Sequence, residues 1–190
     1  MARTKEFDPD VALRAALDLF WRQGYEATSM QDLVDHLGVN RASIYATFGS
    51  KPELYLRALQ RYAQELGGWY VELLSGPGPL NAVREVFETI ARQAVSDPDH
   101  KGCLVVNTAV EDPAVDGAAA LVDRGFNNLQ ALLAGALVRA QDDGDLAADK
   151  DPQALARFLV TFMQGIRVMA RHPDERRITD AVAQALSLLD

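Results

Sequence analysis

Apolar residues recur along this chain at the three- and four-residue spacing of amphipathic helices. No sustained alternation of β-branched residues interrupts them, so the expected class is all-α, with about nine helices. Leu13, Ala16, Leu17 and Phe20 form the first such face, on a helix that begins near Pro9 and stops at Gly24. Thr28 and Gln31 make a capping-box pattern before Met30, Leu33, Val34 and Leu37, which predicts a short second helix over 28–37, ended by Gly38. Asn40 is a good N-cap for a third helix running through Ile44, Tyr45 and Phe48 to Gly49, with Val39 placed to pack on Ile44. Ser50 and Glu53 repeat the capping-box pattern and open a long fourth helix over 51–74, where Pro52 is tolerated in the first turn.

The cluster SGPGPL at 75–80 breaks the pattern, and helical spacing resumes from Leu80 to Val95 before Asp97, Pro98 and Asp99 break it again. The segment GCLVVNTAVE at 102–111 is short, apolar and β-branched, so alone it suits a strand or a helix; its neighbours favour a buried helix. Asp112 before Pro113 and Asp151 before Pro152 are N-cap and N1 pairs, predicting helices over 113–141 and 152–171, and a last helix is expected over 174–189.

Two short helices joined by Gly38-Val39-Asn40, with one helix before and a long one after, have the layout of a helix-turn-helix. An α-helix fits the major groove of DNA, with residues near its N-terminus reaching base edges. Arg41 stands at the first position of the third helix, where a guanidinium could pair with guanine, and Ala42 is small enough for close approach. Ser43 and Thr47 offer hydroxyls, Tyr45 a phenol of phosphate reach and Lys51 a charge at the next helix start, while Thr28 adds a hydroxyl at a helix N-terminus. With the N-cap Asn40 these are the candidate DNA-binding residues; the competing reading makes them caps and solvent-facing residues of a helical core.

Charge confines where DNA could sit. The chain carries 19 Lys+Arg and 27 Asp+Glu, a net of −8, yet residues 1–52 hold six bases and seven acids, a net of only −1. The acidic remainder would be repelled by a polyanion, so contact belongs to the N-terminal quarter. Hydrophobic residues at 48% and charged residues at 24% are an ordinary globular mixture, and runs such as LLAGALV fall short of a membrane span. The opening MARTKEFDPDV lacks the apolar stretch of a signal peptide and Cys103 is the single cysteine, so the cytoplasm is the expected compartment, with no membrane partner. His36, His100 and His172 lie apart without a ligand pattern, no phosphate-binding glycine loop occurs, and DDGDLAADKD at 142–151 lacks the spacing of a calcium loop. Neither a metal, a cofactor nor an enzyme is indicated.

The stretch TSMQDLVDHLGVNRASIYATFGSKPELYLRAL, residues 28–59, closely resembles the N-terminal region of the tetracycline-repressor (TetR) family of bacterial transcription regulators. The pattern GV-x-R-x-S-x-Y-x-x-F-x-SK-x-x-L, from Gly38 to Leu54, carries the resemblance. It implies a three-helix DNA-binding unit, residues 1–52, joined by the fourth helix to an effector-binding and dimerisation unit, residues 53–190. It also implies that Tyr45 and Lys51 contact phosphate and that Arg41, Ala42 and Thr47 touch bases or adjacent backbone. Where many relatives carry an aromatic residue or His before the second aromatic, this chain has Ala46 and Thr47.

In the second half, Phe158, Leu159, Val160, Phe162, Met163, Ile166, Val168 and Met169 cover more of their helix than one stripe, so that helix must be covered on two sides. Packing against a twofold-related copy satisfies this, as would a purely intrachain core. Trp69, Tyr70, Phe87, Phe126, Phe162 and Met163 are candidate walls of an effector cavity, with Asn107, Asn127 or Arg167 as polar handles. Cys103 follows Lys101 and His100 at a helix start, where a thiol could be activated. The combined expectation is a homodimeric repressor that binds double-stranded palindromic operator DNA and releases it when a small molecule occupies the C-terminal unit, with the cavity between the fourth helix and the helices at 80–95, 102–111 and 113–141. Two alternatives stand beside it: a repressor that senses oxidants or electrophiles through Cys103, and a helical ligand-binding or enzyme domain with a vestigial helix-turn-helix.

Overall fold

The computed structural model describes residues 7–190, so Arg3 and Lys5, two of the N-terminal bases, lie outside the described residues. Nine α-helices follow one another among them: α1 Pro9–Gln23, α2 Met30–Leu37, α3 Arg41–Phe48, α4 Lys51–Leu74, α5 Pro79–Ser96, α6 Leu104–Glu111, α7 Ala118–Asp142, α8 Pro152–Met169 and α9 Glu175–Leu186. A 3-10 turn, Ser187–Leu189, closes the chain.

The caps explain most boundaries. Asn40 Oδ1 accepts from the Ser43 N–H at 2.9 Å, Glu53 accepts from the Ser50 N–H at 2.7 Å, and Asp151 Oδ1 accepts from Gln153 and Ala154. Two starts differ from expectation. Ser29 and Asp32, not Thr28 and Gln31, form the capping box of α2, because the Thr28 hydroxyl donates to the Gly24 carbonyl at 2.6 Å instead. Likewise α7 starts at Ala118 and not at Pro113: Asp112 takes a left-handed conformation, φ 46°, and closes α6, so it cannot cap the next helix. The segment 102–111 resolves as helix α6 from Leu104 onward.

Burial gathers the helices around two apolar clusters. One joins α1, α2, α3 and the first half of α4 through Ala16, Phe20, Leu33, Ile44, Phe48, Leu54, Tyr55 and Leu59, and extends to Leu104, Val105 and Val106 of α6 and Val122 of α7. Phe20 meets Tyr55 edge-on at 5.0 Å, and Tyr25 packs against Tyr55 at 4.9 Å. The other cluster joins the end of α4 to α5, α7, α8 and α9, with Phe87, Leu133, Leu137, Leu159 and Met163 at its centre. Helix α4 thus runs from one cluster to the other.

Polar contacts tie α1 to the segment around α6. Trp21 Nε1 donates to the Gly102 carbonyl at 3.2 Å, Arg22 pairs with Asp99 at 2.8 Å, and the Glu111 carboxylate accepts from the N–H groups of Tyr25 at 3.0 Å and Glu26 at 2.8 Å. Gly24 lets Glu111 come this close, since a Cβ there would lie 3.0 Å from Glu111 Oε1 and its φ of 86° already disfavours a side chain.

Candidate DNA-reading helix and effector cavity

Helix α3 turns Ile44 and Phe48 inward, both 3% exposed or less, which fixes its opposite face toward water. That face presents Arg41, Ala42, Tyr45 and Ala46, with Ser43 and Thr47 half-buried at its flanks. Arg41 Nη2 reaches only Gln31 Oε1 at 3.5 Å, a weak contact that leaves the guanidinium available, and the Tyr45 side chain is 47% exposed. Lys51 lies half-buried with its ammonium 4.1 Å from the centre of the Tyr25 ring. Six of the eight expected DNA-facing residues therefore keep side-chain groups free at one surface. Asn40 spends its side-chain oxygen on the cap of α3, and Thr28 is fully buried, so its hydroxyl is unavailable to phosphate. Arg57, nearly two turns into α4, also joins this surface: it donates to the Thr47 carbonyl at 3.3 Å beside Phe48.

A cavity of about 770 Å³ opens inside the second half, walled by α4, the start of α6, α7 and α8. Tyr70, Cys103, Phe126 and Arg167 line it as expected, together with Gln60, Gln64, Leu66, Leu121, Arg124, Asn128, Leu129, Leu132 and Gln164. Helix α5 was expected to form a wall and does not; α8 does, because the apolar face of α5 is consumed by core contacts of Val83, Val86, Phe87 and Ile90. Phe87 is fully buried in that core, and Phe162 stacks between Phe87 and Phe158, at 6.2 Å and 6.0 Å. Trp69 packs on the core, Met163 is buried and accepts from the Tyr70 hydroxyl at 3.3 Å, and Asn107 donates to the Lys101 carbonyl at 2.8 Å as a local brace. None of these five lines the cavity, and neither does Asn127, which is exposed. A readable signal for the wall existed: Gly67 and Gly125 sit inside helices, and added Cβ atoms there would meet nothing closer than Val105 at 3.8 Å.

Arg167 is the unusual group of this wall. It is only 8% exposed, and its Nη2 donates to the Tyr70 hydroxyl. Burial works against its charge, yet neighbouring Cys103, Tyr70 and Tyr62 hold the guanidinium above its ordinary pKa. Burial pushes Tyr70 up to about 12 and Tyr62 well above the usual phenol range, so both phenols are neutral at pH 7. Cys103 is 2% exposed, and the Lys101 ammonium lies 4.8 Å over the Trp21 ring and pairs with Asp99 at 3.5 Å.

Comparisons with known proteins agree with this architecture from end to end. Residues 12–58 match the model of the bacterial regulatory proteins of the tetR family, and residues 79–186 match a tetracyclin repressor-like C-terminal domain. An uncharacterized HTH-type transcriptional regulator of Bacillus subtilis (strain 168), YezE, is 36% identical over 195 residues, covering 100% of both chains. The chain belongs to the tetR family. The HTH-type transcriptional repressor ComR of Escherichia coli (strain K12) is 32% identical over 89% of this chain and 82% of its own. A cysteine-substituted TetR-family regulator, CifR, solved with a 26-base-pair double-strand operator DNA, superposes with a TM-score of 0.85 at 31% identity, covering 100% of both chains. This tetR-family chain is accordingly a DNA-binding transcriptional regulator and not an enzyme, as its relatives are. Among its described residues, no helix is long and apolar enough to cross a membrane.

Proposed function

We propose that the chain is a homodimeric repressor that binds palindromic operator DNA through α3 and releases it when a small molecule fills the α4–α6–α7–α8 cavity. In this reading residues 1–52 are the DNA-binding unit and 53–190 the effector and dimer unit. The observation that carries it is the outward face of α3, where Arg41, Ala42 and Tyr45 stand together above the buried Ile44 and Phe48. The CifR complex with operator DNA supports the same partner for this chain. Exposed Phe158, Thr161, Gly165 and Val168 line one side of α8, an apolar and small-residue stripe that stays open to solvent although the Phe158 ring stacks on Phe162, which supports pairing with a second copy.

The coupling runs along two routes. Helix α4 carries Lys51 beside α3 at one end and cavity-lining Leu66 and Tyr70 near the other. Helix α6 starts at cavity-lining Cys103 and Val105 and ends at Glu111, which holds the α1–α2 turn. An effector that prefers the DNA-incompetent arrangement by about 1–3 kcal/mol lowers operator affinity roughly 5- to 150-fold, and operator lowers effector affinity by the same factor. Operators selected from a random DNA pool, followed by titration with and without effector, test this. The expected result is a dimer on two half-sites about 34–36 Å apart or a multiple of that spacing. A folded monomer at micromolar concentration, or equal effector affinity with and without operator, overturns it.

A thiol-sensing version of the same repressor is favoured by one observation, the position of Cys103 in the cavity wall. Operator release by an electrophile that survives Cys103→Ser rules it out.

A further inference from the structure

We propose that the cavity selects an anionic amphipathic ligand, a carboxylate on an apolar skeleton, whose charged end is received by Arg167. This deepens the effector reading above and rests on it. The chain holds 27 acidic residues, yet no Asp or Glu lines the cavity, while two cations, Arg167 and Arg124, do. Arg167 is buried and pairs with no carboxylate among the described residues; its hydrogen bond goes to a neutral phenol, and its other close polar neighbour is the Cys103 thiol. A guanidinium has five N–H donors in a fork suited to a carboxylate, and a buried cation without a counter-charge is costly. An anion arriving at Arg167 supplies that missing charge. Arg124 is exposed and lies on the cavity's margin, where it attracts the same sign of ligand from solvent.

The rest of the wall suits the other end of such a molecule. Leu66, Leu121, Phe126, Leu129 and Leu132 are apolar, and about 770 Å³ falls within the size of ordinary small-molecule sites. The position of Arg167 is itself fixed by backbone: a Cβ at Gly102 would lie 2.9 Å from the Arg167 carbonyl, so α8 and the chain entering α6 are in close contact at this point. Occupancy at Arg167 therefore bears on the segment that leads to Glu111.

The test is calorimetric titration of the full-length protein, without DNA, with decanoate and phenylbutyrate, each beside the alcohol of the same skeleton. The expected result is that at least one acid binds about tenfold or more tightly than its alcohol, the gain typical of a charge-assisted hydrogen bond. Arg167→Met should erase that preference by weakening the acid far more than the alcohol. Should Arg167→Met fail to fold, the acid-to-alcohol ratio in the unsubstituted protein decides alone. Equal affinities, tighter binding of the alcohols, or no binding of either acid at millimolar concentration overturns the proposal. Operator release is read separately. An acid that binds at Arg167 without weakening operator binding sinks the effector reading and leaves the anion site standing; release by an alcohol alone does the reverse.

Discussion

Arg41 and Arg167 place the same side chain in opposite surroundings. Arg41 stands in water on the outer face of α3, while Arg167 is 8% exposed in a wall between helices. A hydrated cation attracts its partner over a distance that salt screens, and it loses its water only when the complex forms. A cation already stripped of water at folding is screened far less and demands a partner of matched charge and shape. Under the function proposed above, the contrast separates two kinds of recognition in one chain: an outer surface governed by ionic strength and base edges, and an inner one governed by fit and charge sign.

The largest test of that division is Phe87→Ala. Removing a fully buried aromatic ring should cost roughly 3–5 kcal/mol of folding stability in urea denaturation. Unchanged stability with altered ligand affinity would return Phe87 to the cavity wall. Next comes Arg41→Ala, which should cost about 1–3 kcal/mol of operator binding and relax base preference while moving folding stability by no more than about 0.5 kcal/mol. A comparable loss of fold stability would mean that Arg41 is a structural residue.

Tyr55→Phe probes the contact between α4 and α6. The Thr108 hydroxyl donates to the Leu104 carbonyl at 2.7 Å, so the Tyr55 hydroxyl, 2.8 Å away, is the donor of the second bond. Its removal should lower stability by about 1 kcal/mol, measured by thermal or chemical unfolding. A smaller effect is expected for Lys51→Ala: operator affinity falls for every sequence alike, and the logarithmic salt slope flattens by about 0.9, one phosphate's share. Sequence-selective loss would place Lys51 among the base-reading groups.

The smallest effect is in acid. Hydrogen bonds from Ser29 hold Asp32, and those from Ser50 hold Glu53, below the usual carboxylate range. Depressed values mean that the stability these caps contribute is present above the unfolded pKa, about 4, and is lost as pH falls through the folded values. Asp32→Asn and Glu53→Gln should flatten the fall of melting temperature on that side of pH 4. An unchanged profile would remove the caps from the acid response.

The outer surface was readable in the chain because its determinants are neighbours: Gly38, Val39, Asn40, Ile44 and Phe48 set the turn, the cap and the buried face within eleven positions. The errors there were single-residue choices between equivalent chemistry, as with Ser29 and Asp32 displacing Thr28 and Gln31. The inner surface depends on distant segments. Phe87 and Phe126 are alike as sequence, and only packing sends one to a core and the other to a cavity. Asp112-Pro113 had the composition of a helix start, but the left-handed backbone of Asp112 ended α6 instead. Glu111 offered no spacing that would link it to a turn 86 positions earlier.

That last residue limits how the protein can be recombined. Two backbone N–H donors of the α1–α2 turn find their acceptors in the Glu111 carboxylate at the end of α6, so the reading head is not a cartridge that detaches at residue 52. A chimera grafting it onto a foreign sensor leaves the part-buried N–H of Tyr25 without its acceptor, and that of Glu26 to water, unless the host supplies an acid at the matching site. Exchange between relatives is therefore easiest when the seam is drawn around α6 as well, and any lineage that swaps heads must bring the acid along or rebuild it.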